Sequence, residues 1–318
     1  MAKQPGTRHK QKIIEGGMSM EIIKDVPMSP QDSIMLDMHS FYNVINIISG
    51  ELQILEMLSG QDQCMQDCVG LCFKIKDGLT DSDKIVEYAQ NIDEHLDFIL
   101  KRVQELLSSH PHLQNEDDAR ESVENINSVL NILKVRAQEI LARYKAPNKW
   151  EKHDLSQLKQ NFLDVFEAIA RNSKGRYGFV YNIAAWTPKD YFVAFQMESV
   201  DGDHIFMPPV FQDVMRDLIA NARKYTDPGG KVLAGLLDDG QNLRFSVEDT
   251  GMGIPEEEVQ RVVDFGFRAS NTVERRTMGG GFGLTKAYCV TKQFNGRFWI
   301  SSKEGQGTRV DIIMPRQA

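Results

Sequence analysis

Two stretches of this sequence set polar, chemistry-bearing side chains at the spacing of one helix face. In DLIANARKYT, residues 217–226, Asp217, Asn221 and Lys224 fall at i, i+4 and i+7, while Leu218, Ile219 and Ala222 look inward. A carboxylate, an amide and an ammonium on one face suit a magnesium–triphosphate, since oxygen ligands hold that hard cation and the ammonium meets the phosphates. In HSFYNVINIISGELQIL, starting at His39, the polar row His39, Asn43, Asn46, Gly50 and Gln53 runs beside an apolar stripe and leaves an imidazole accessible. Its nitrogen is a nucleophile near neutral pH without further activation. A lone helical histidine is otherwise a surface or core-edge residue.

Three further motifs follow in the second half: VEDTGMGIP at 247–255, GGGFGL at 279–284 and GQGT at 305–308. Asp249 ends a β-rich segment, and Gly251 and Gly253 leave room for a turn and for close approach to the backbone. Gly279, Gly280, Gly281 and Gly283 open a helix at about 282–294 whose first N–H groups can receive phosphate oxygens. The stretch 265–278 is charged and lacks apolar periodicity, which suits a mobile lid; Phe265 and Phe267 are its anchors, and Arg268, Arg275 and Arg276 can reach phosphate. A dinucleotide GxGxxG beginning at Gly279 fails at Leu284, and no GxxxxGK[ST] occurs.

Taken in order, the four motifs resemble the N, G1, G2 and G3 boxes of the ATPase fold shared by histidine kinases, gyrase and MutL. The resemblance spans roughly the last half of the chain and implies ATP with Mg²⁺ as cofactors. It places Asn221 on the metal, Lys224 by the phosphates, Tyr225 near the purine, Asp249 on the adenine amino group and Thr308 in the same pocket. Gly279, Gly280, Gly281 and Gly283 become the hinge of the lid, and Leu284 joins Gly279, Gly281 and Gly283 among the nucleotide-binding residues. Histidine kinases usually carry Asn at the first position of the N box; Asp217 here is a Mg²⁺ neighbour, a base, or a solvated carboxylate.

The string at His39 resembles the phosphoacceptor box of the histidine-kinase dimerisation domain. That resemblance implies His39 as nucleophile and Asn43 as the residue that orients water for dephosphorylating a partner regulator. Ser40 stands where the family has Asp or Glu, and a serine hydroxyl cannot serve as the proton acceptor near pH 7. The expected function is a two-component protein histidine kinase that passes the ATP γ-phosphoryl to His39 and on to an aspartate of a response-regulator receiver domain. The alternative is a phosphatase-biased or non-catalytic ATP-binding scaffold.

These residues need two frames. The pattern predicts a multidomain chain, an α-helical bundle followed by an α+β, GHKL-type sandwich. Residues 1–17 read as a flexible basic tail. Residues 18–146 read as a bundle with three apolar stripes: Met38 to Leu55, Ile85 to Leu106 and Val123 to Tyr144. A helical pair at about 61–116 looks inserted, which would cover the bundle within one chain; a homodimer is still expected. Pro147 breaks the helix, Asp154 is an N-cap candidate for a helix over 155–173, and the ATP-binding domain fills 150–318. Strands are expected at 178–184, 190–197, 231–238, 242–249, 296–302 and 308–314.

A net charge of −8 argues against nucleic acid and anionic membrane as partners. No run of eighteen apolar residues occurs and no signal peptide is evident, so the expectation is a cytoplasmic protein without membrane insertion. Cys64, Cys68 and Cys72 form a helical row, open to metal or redox chemistry or to plain packing. HPH at 110–112 reads as a loop.

Overall fold

The computed structural model describes residues 19–146, 148–172, 175–272 and 280–317. The chain divides into two units: residues 27–149 with 208–210, and residues 19–26, 150–207 and 211 onward.

The first unit is helical: α1 Pro30–Ser59, α2 Gln66–Gly78, α3 Ser82–Gln90, α4 Ile92–Ser109 and α5 Asp117–Lys145. Helix α1 starts on a capping box, in which the Asp32 amide donates to the Ser29 hydroxyl and Ser29 donates back to the Asp32 carboxylate, with Pro30 at the first turn. It ends at Gly60, whose left-handed backbone (φ 68°) closes the helix. The expected stripes are buried except at the ends of the third, where Val123 is half-buried and Tyr144 is exposed, and Phe41, Ile48 and Leu52 of α1 share a single core with Cys68 and Ile75 of α2, Ile99 of α4 and Leu130 of α5. The insertion is three helices rather than a pair, because Asp81 caps a separate α3 through the amides of Asp83 and Lys84. The HPH segment opens a short 3₁₀ turn.

The second unit is built on a seven-stranded mixed sheet in the order β1-β8-β9-β7-β6-β4-β3, with β1 Ser19–Glu21, β3 Phe179–Val180, β4 Tyr191–Ser199, β6 Lys231–Asp238, β7 Asn242–Asp249, β8 Arg297–Lys303 and β9 Gly307–Pro315. A two-stranded ribbon pairs β2 Glu151–Asp154 with β5 His204–Met207. The helices are α6 Leu155–Asn172, α7 Val210–Lys224 and α8 Gly283–Gln293. Alternating residues Val232, Leu236, Phe245, Val247, Ile300 and Ile312 are buried; Phe211 of α7 meets Phe245 edge-on at 5.9 Å between ring centres, and Phe162 of α6 meets Phe195 at 4.8 Å. Asp154 caps α6 as expected, accepting from the Gln157 amide at 2.8 Å.

One boundary differs. Residues 19–26, expected at the start of the bundle, belong to the sheet unit: Ser19, Met20 and Glu21 pair antiparallel with Ser301, Ile300 and Trp299, and Ile22 is fully buried. Glu21 makes a two-toothed pair with Arg297, and the Tyr288 hydroxyl donates to the Lys24 carbonyl at 2.5 Å. The tail 1–17, Pro147, Arg275, Arg276, Met278 and Gly279 lie outside the described residues.

Candidate functional site

The four motifs meet in one place, and two glycines mark the contacts. A Cβ at Gly283, the first residue of α8, would sit 2.7 Å from Asn221 Nδ2 on α7. At Gly251 it would sit 2.3 Å from the Tyr225 carbonyl just past α7. The N box is thus pressed against both the G2 and the G1 segments. Gly253 and Gly281 adopt left-handed backbone.

Asp249 closes β7 and is almost fully buried. Its Oδ1 accepts from the amides of Gly251 at 2.8 Å and Thr308 at 3.3 Å, which ties the G3 strand to the G1 turn. Burial pushes its carboxyl up to about 7, against the pull of those two amides. Thr308 shares a hydroxyl contact with Ser302 at 2.9 Å, and Ser302 accepts from the Ile254 amide at 2.8 Å. A carboxylate held this tightly at the bottom of a turn is a fixed hydrogen-bond acceptor for an amino group.

Lys224 ends α7, next to Arg223 in the chain. Burial first, then Arg268 and Arg223, pull its ammonium down to about 8. Three cations drawn together at the end of one helix form a seat for an anion. Arg268 donates to the Thr272 carbonyl at 3.1 Å, and the Lys224 ammonium also lies 5.3 Å from the Tyr225 ring centre. Phe265 packs on Phe282 at 4.9 Å, next to the start of α8. Leu284 is half-buried in the first turn of α8.

Asp217 faces the same surface as Asn221, and behind it lies a group that the motifs did not announce. Lys286 of α8 is 2% exposed; its ammonium reaches Asp213 Oδ2 at 3.2 Å and Asp217 Oδ2 at 3.9 Å, while Arg216 holds Asp213 Oδ1 at 2.5 Å. The signal in the sequence is a charged residue inside the otherwise buried run TKAY, four residues bounded by apolar positions. Read alone, Lys286 looks like any surface lysine.

The residues present fit a magnesium–nucleotide: an amide and a carboxylate one turn apart, three cations beside them and a buried acceptor for an amino group. In the helical unit, His39 and Asn43 sit half-buried on α1, and the Asn43 amide contacts His39 Nε2 at 3.2 Å.

Two of the three cysteines in the row lie in the bundle core, and Cys64 is half-buried at its edge. Cys68 and Cys72 are buried, burial pushes both thiols up to about 12, and no cluster of three or more His, Cys, Asp or Glu able to hold a metal occurs among the described residues.

Residues 208–318 match the family model described as histidine kinase-, DNA gyrase B- and HSP90-like ATPase. The sensor histidine kinase RcsC of Escherichia coli is 28% identical over 191 residues, covering 60% of this chain and 18% of its own length. The sensor histidine kinase WalK of Bacillus subtilis is 34% identical over 104 residues, 32% of this chain and 17% of its own. The solved catalytic domain of histidine kinase ThkA is 20% identical with a TM-score of 0.38, covering 52% of this chain and 95% of that one. The chain spans about a fifth of the length of the curated relatives it matches. Residues 208–318 form an ATPase domain of the histidine kinase, gyrase and HSP90 family, and the relatives that match this chain over part of their length are sensor histidine kinases.

Proposed function

We propose that this protein is a cytoplasmic, ATP-dependent protein histidine kinase that phosphorylates His39 and passes the phosphoryl group to an aspartate of a response-regulator receiver domain. The observation that carries this reading is the cation cluster of Lys224, Arg268 and Arg223 beside Asn221 and the buried Asp249, in a chain that also bears His39 on an amphipathic helix. Asp249 would accept from the adenine amino group, the cations would hold the triphosphate, and Asn221, with Asp217 as its neighbour, would hold Mg²⁺. Bound Mg²⁺ supplies charge neutralisation at the phosphates.

In the transfer, a bond forms between an imidazole nitrogen of His39 and the γ-phosphorus while the bond from that phosphorus to the ADP oxygen breaks. The ring proton must then leave, and Ser40 offers no carboxylate to take it. This favours a second reading, in which transfer is slow and Asn43, already on His39, directs water at the phosphorylated receiver. No described helix is long and apolar enough to cross a membrane. A homodimer of this chain would use the outer surface of α1, where Met35, Tyr42 and Met57 are exposed, because the bundle core is closed within one chain.

The test is labelling of purified protein with γ-labelled Mg-ATP. An acid-labile, base-stable phosphate that is lost in His39→Gln supports the kinase. No label on His39 defeats it, and stimulated dephosphorylation of a phosphorylated receiver would then favour the second reading.

A further inference from the structure

We propose that Lys286 is a positioning residue for the magnesium–nucleotide site, holding the Asp217 carboxylate where the family carries an uncharged amide; this rests on the nucleotide reading above. A buried ammonium is costly unless it is paired, so its partners define its role. Asp213 is one partner, at 3.2 Å, but its other oxygen is already held by Arg216 at 2.5 Å. The ammonium of Lys286 is therefore shared with Asp217, at an ion-pair distance of 3.9 Å, longer than a direct hydrogen bond.

The two carboxylates differ in exposure in the way this role requires. The Asp213 side chain is 4% exposed and serves as the anchor; that of Asp217 is 24% exposed and reaches the surface shared with Asn221. Gly283, three residues before Lys286 on α8, lies against Asn221 and the Asp217 Cβ. One helix thus touches the proposed metal residue through its first glycine and steadies the neighbouring carboxylate through its lysine. The consequence is electrostatic. Asp217 adds a negative charge to a site meant for a triphosphate, and Lys286 offsets it from behind while keeping the carboxylate from turning toward the phosphates.

The experiment measures ATP affinity by calorimetry in excess Mg²⁺, on the full chain. Asp213→Asn with Lys286→Met removes the buried carboxylate and ammonium together and leaves an amide oxygen facing the Arg216 guanidinium, which is 13% exposed. This pair is expected to weaken ATP binding by about tenfold, within the range of coupling between contacting charged groups. Adding Asp217→Asn is expected to return the affinity to within about twofold of Asp217→Asn alone. Unchanged or tighter binding in the pair overturns the proposal, as does a loss that Asp217→Asn fails to restore, since that would mark a merely structural role. If the pair loses its native circular dichroism, Lys286→Arg replaces it under the same rescue criterion. Wild-type protein that binds no ATP would instead defeat the nucleotide reading, and this proposal with it.

Discussion

Raising the pH from 7 to 9 should release ATP from this protein, and Lys224 sets the size of the effect. Its ammonium is pulled from an ordinary value near 10.5 down to about 8, by burial and then by Arg268 and Arg223. About nine in ten molecules then carry the charge at pH 7 and about one in ten at pH 9. If the phosphates require that charge, affinity falls by about tenfold over the interval, at about one decade per pH unit above 8. The last ionisation of a phosphate lies near 6, below this window. Stability moves the other way. Because the folded value is depressed, the folded protein sheds its proton before the unfolded chain does, so nucleotide-free stability gains from this group as pH rises from about 8 toward about 10.5. Opposite trends in affinity and stability separate this titration from general alkaline loosening. Calorimetry of Mg-ATP binding at pH 7, 8 and 9, with thermal melts of the nucleotide-free protein, reads both. Lys224→Met should bind weakly with a flat profile. A flat wild-type profile, or an equal slope in Lys224→Met, would refute the assignment of Lys224 to the phosphates.

Gly283→Ala places a methyl group 2.7 Å from Asn221 Nδ2, so Mg-ATP binding should fall by at least about tenfold while the melting temperature moves by only a few degrees; equal ATP affinity in a titration would show that the helix contact is not part of the site. Adenosine, which has no phosphates, should bind less tightly as pH falls from 8 to 6, because Asp249 protonates at about 7 and a neutral carboxyl is the weaker acceptor; Asp249→Asn should remove that dependence. Cys68 and Cys72, with thiols pushed up to about 12, should resist a thiol reagent in native protein and react once it is unfolded; rapid native labelling of all four cysteines would contradict their burial. Ser40→Glu should accelerate labelling of His39 by about a hundredfold at unchanged ATP affinity, the lower range of general-base assistance; an unaltered rate would show that the missing carboxylate does not limit transfer.

Much of the site was legible because its signals are local. Asn221 and Lys224 share a face at i and i+3 of one helix, Asp249 ends a strand directly before its glycine turn, and the apolar stripes of α1, α4 and α5 repeat at the helical period. Each of these features needs only a few neighbouring residues to be read. The same holds for the helix starts: Asp154 before α6 and Ser29 before α1 are both caps in the structure, and only Asp154 was picked out, since the Ser29 box uses Asp32 rather than the usual Glu or Gln.

What escaped the sequence depends on partners distant along the chain. The strand β1 is three residues long, too short to show a period, and it exists because β8 offers an edge to residues almost three hundred positions earlier. Lys286 escaped for the complementary reason. Its type says surface, and only the arrival of Asp213 and Asp217 from α7 makes its burial tolerable. The departure visible in the sequence, Asp217 in place of an amide, faces a charge on α8, the Lys286 ammonium at 3.9 Å. A carboxylate at Asp217 with an apolar residue at 286 would set an unbalanced negative charge beside the triphosphate, and a lysine at 286 with amides at 213 and 217 would strand a buried cation. A substitution in a recognised motif is therefore best interpreted after locating the charge that faces it, and in this protein that charge belongs to the helix that the glycines open.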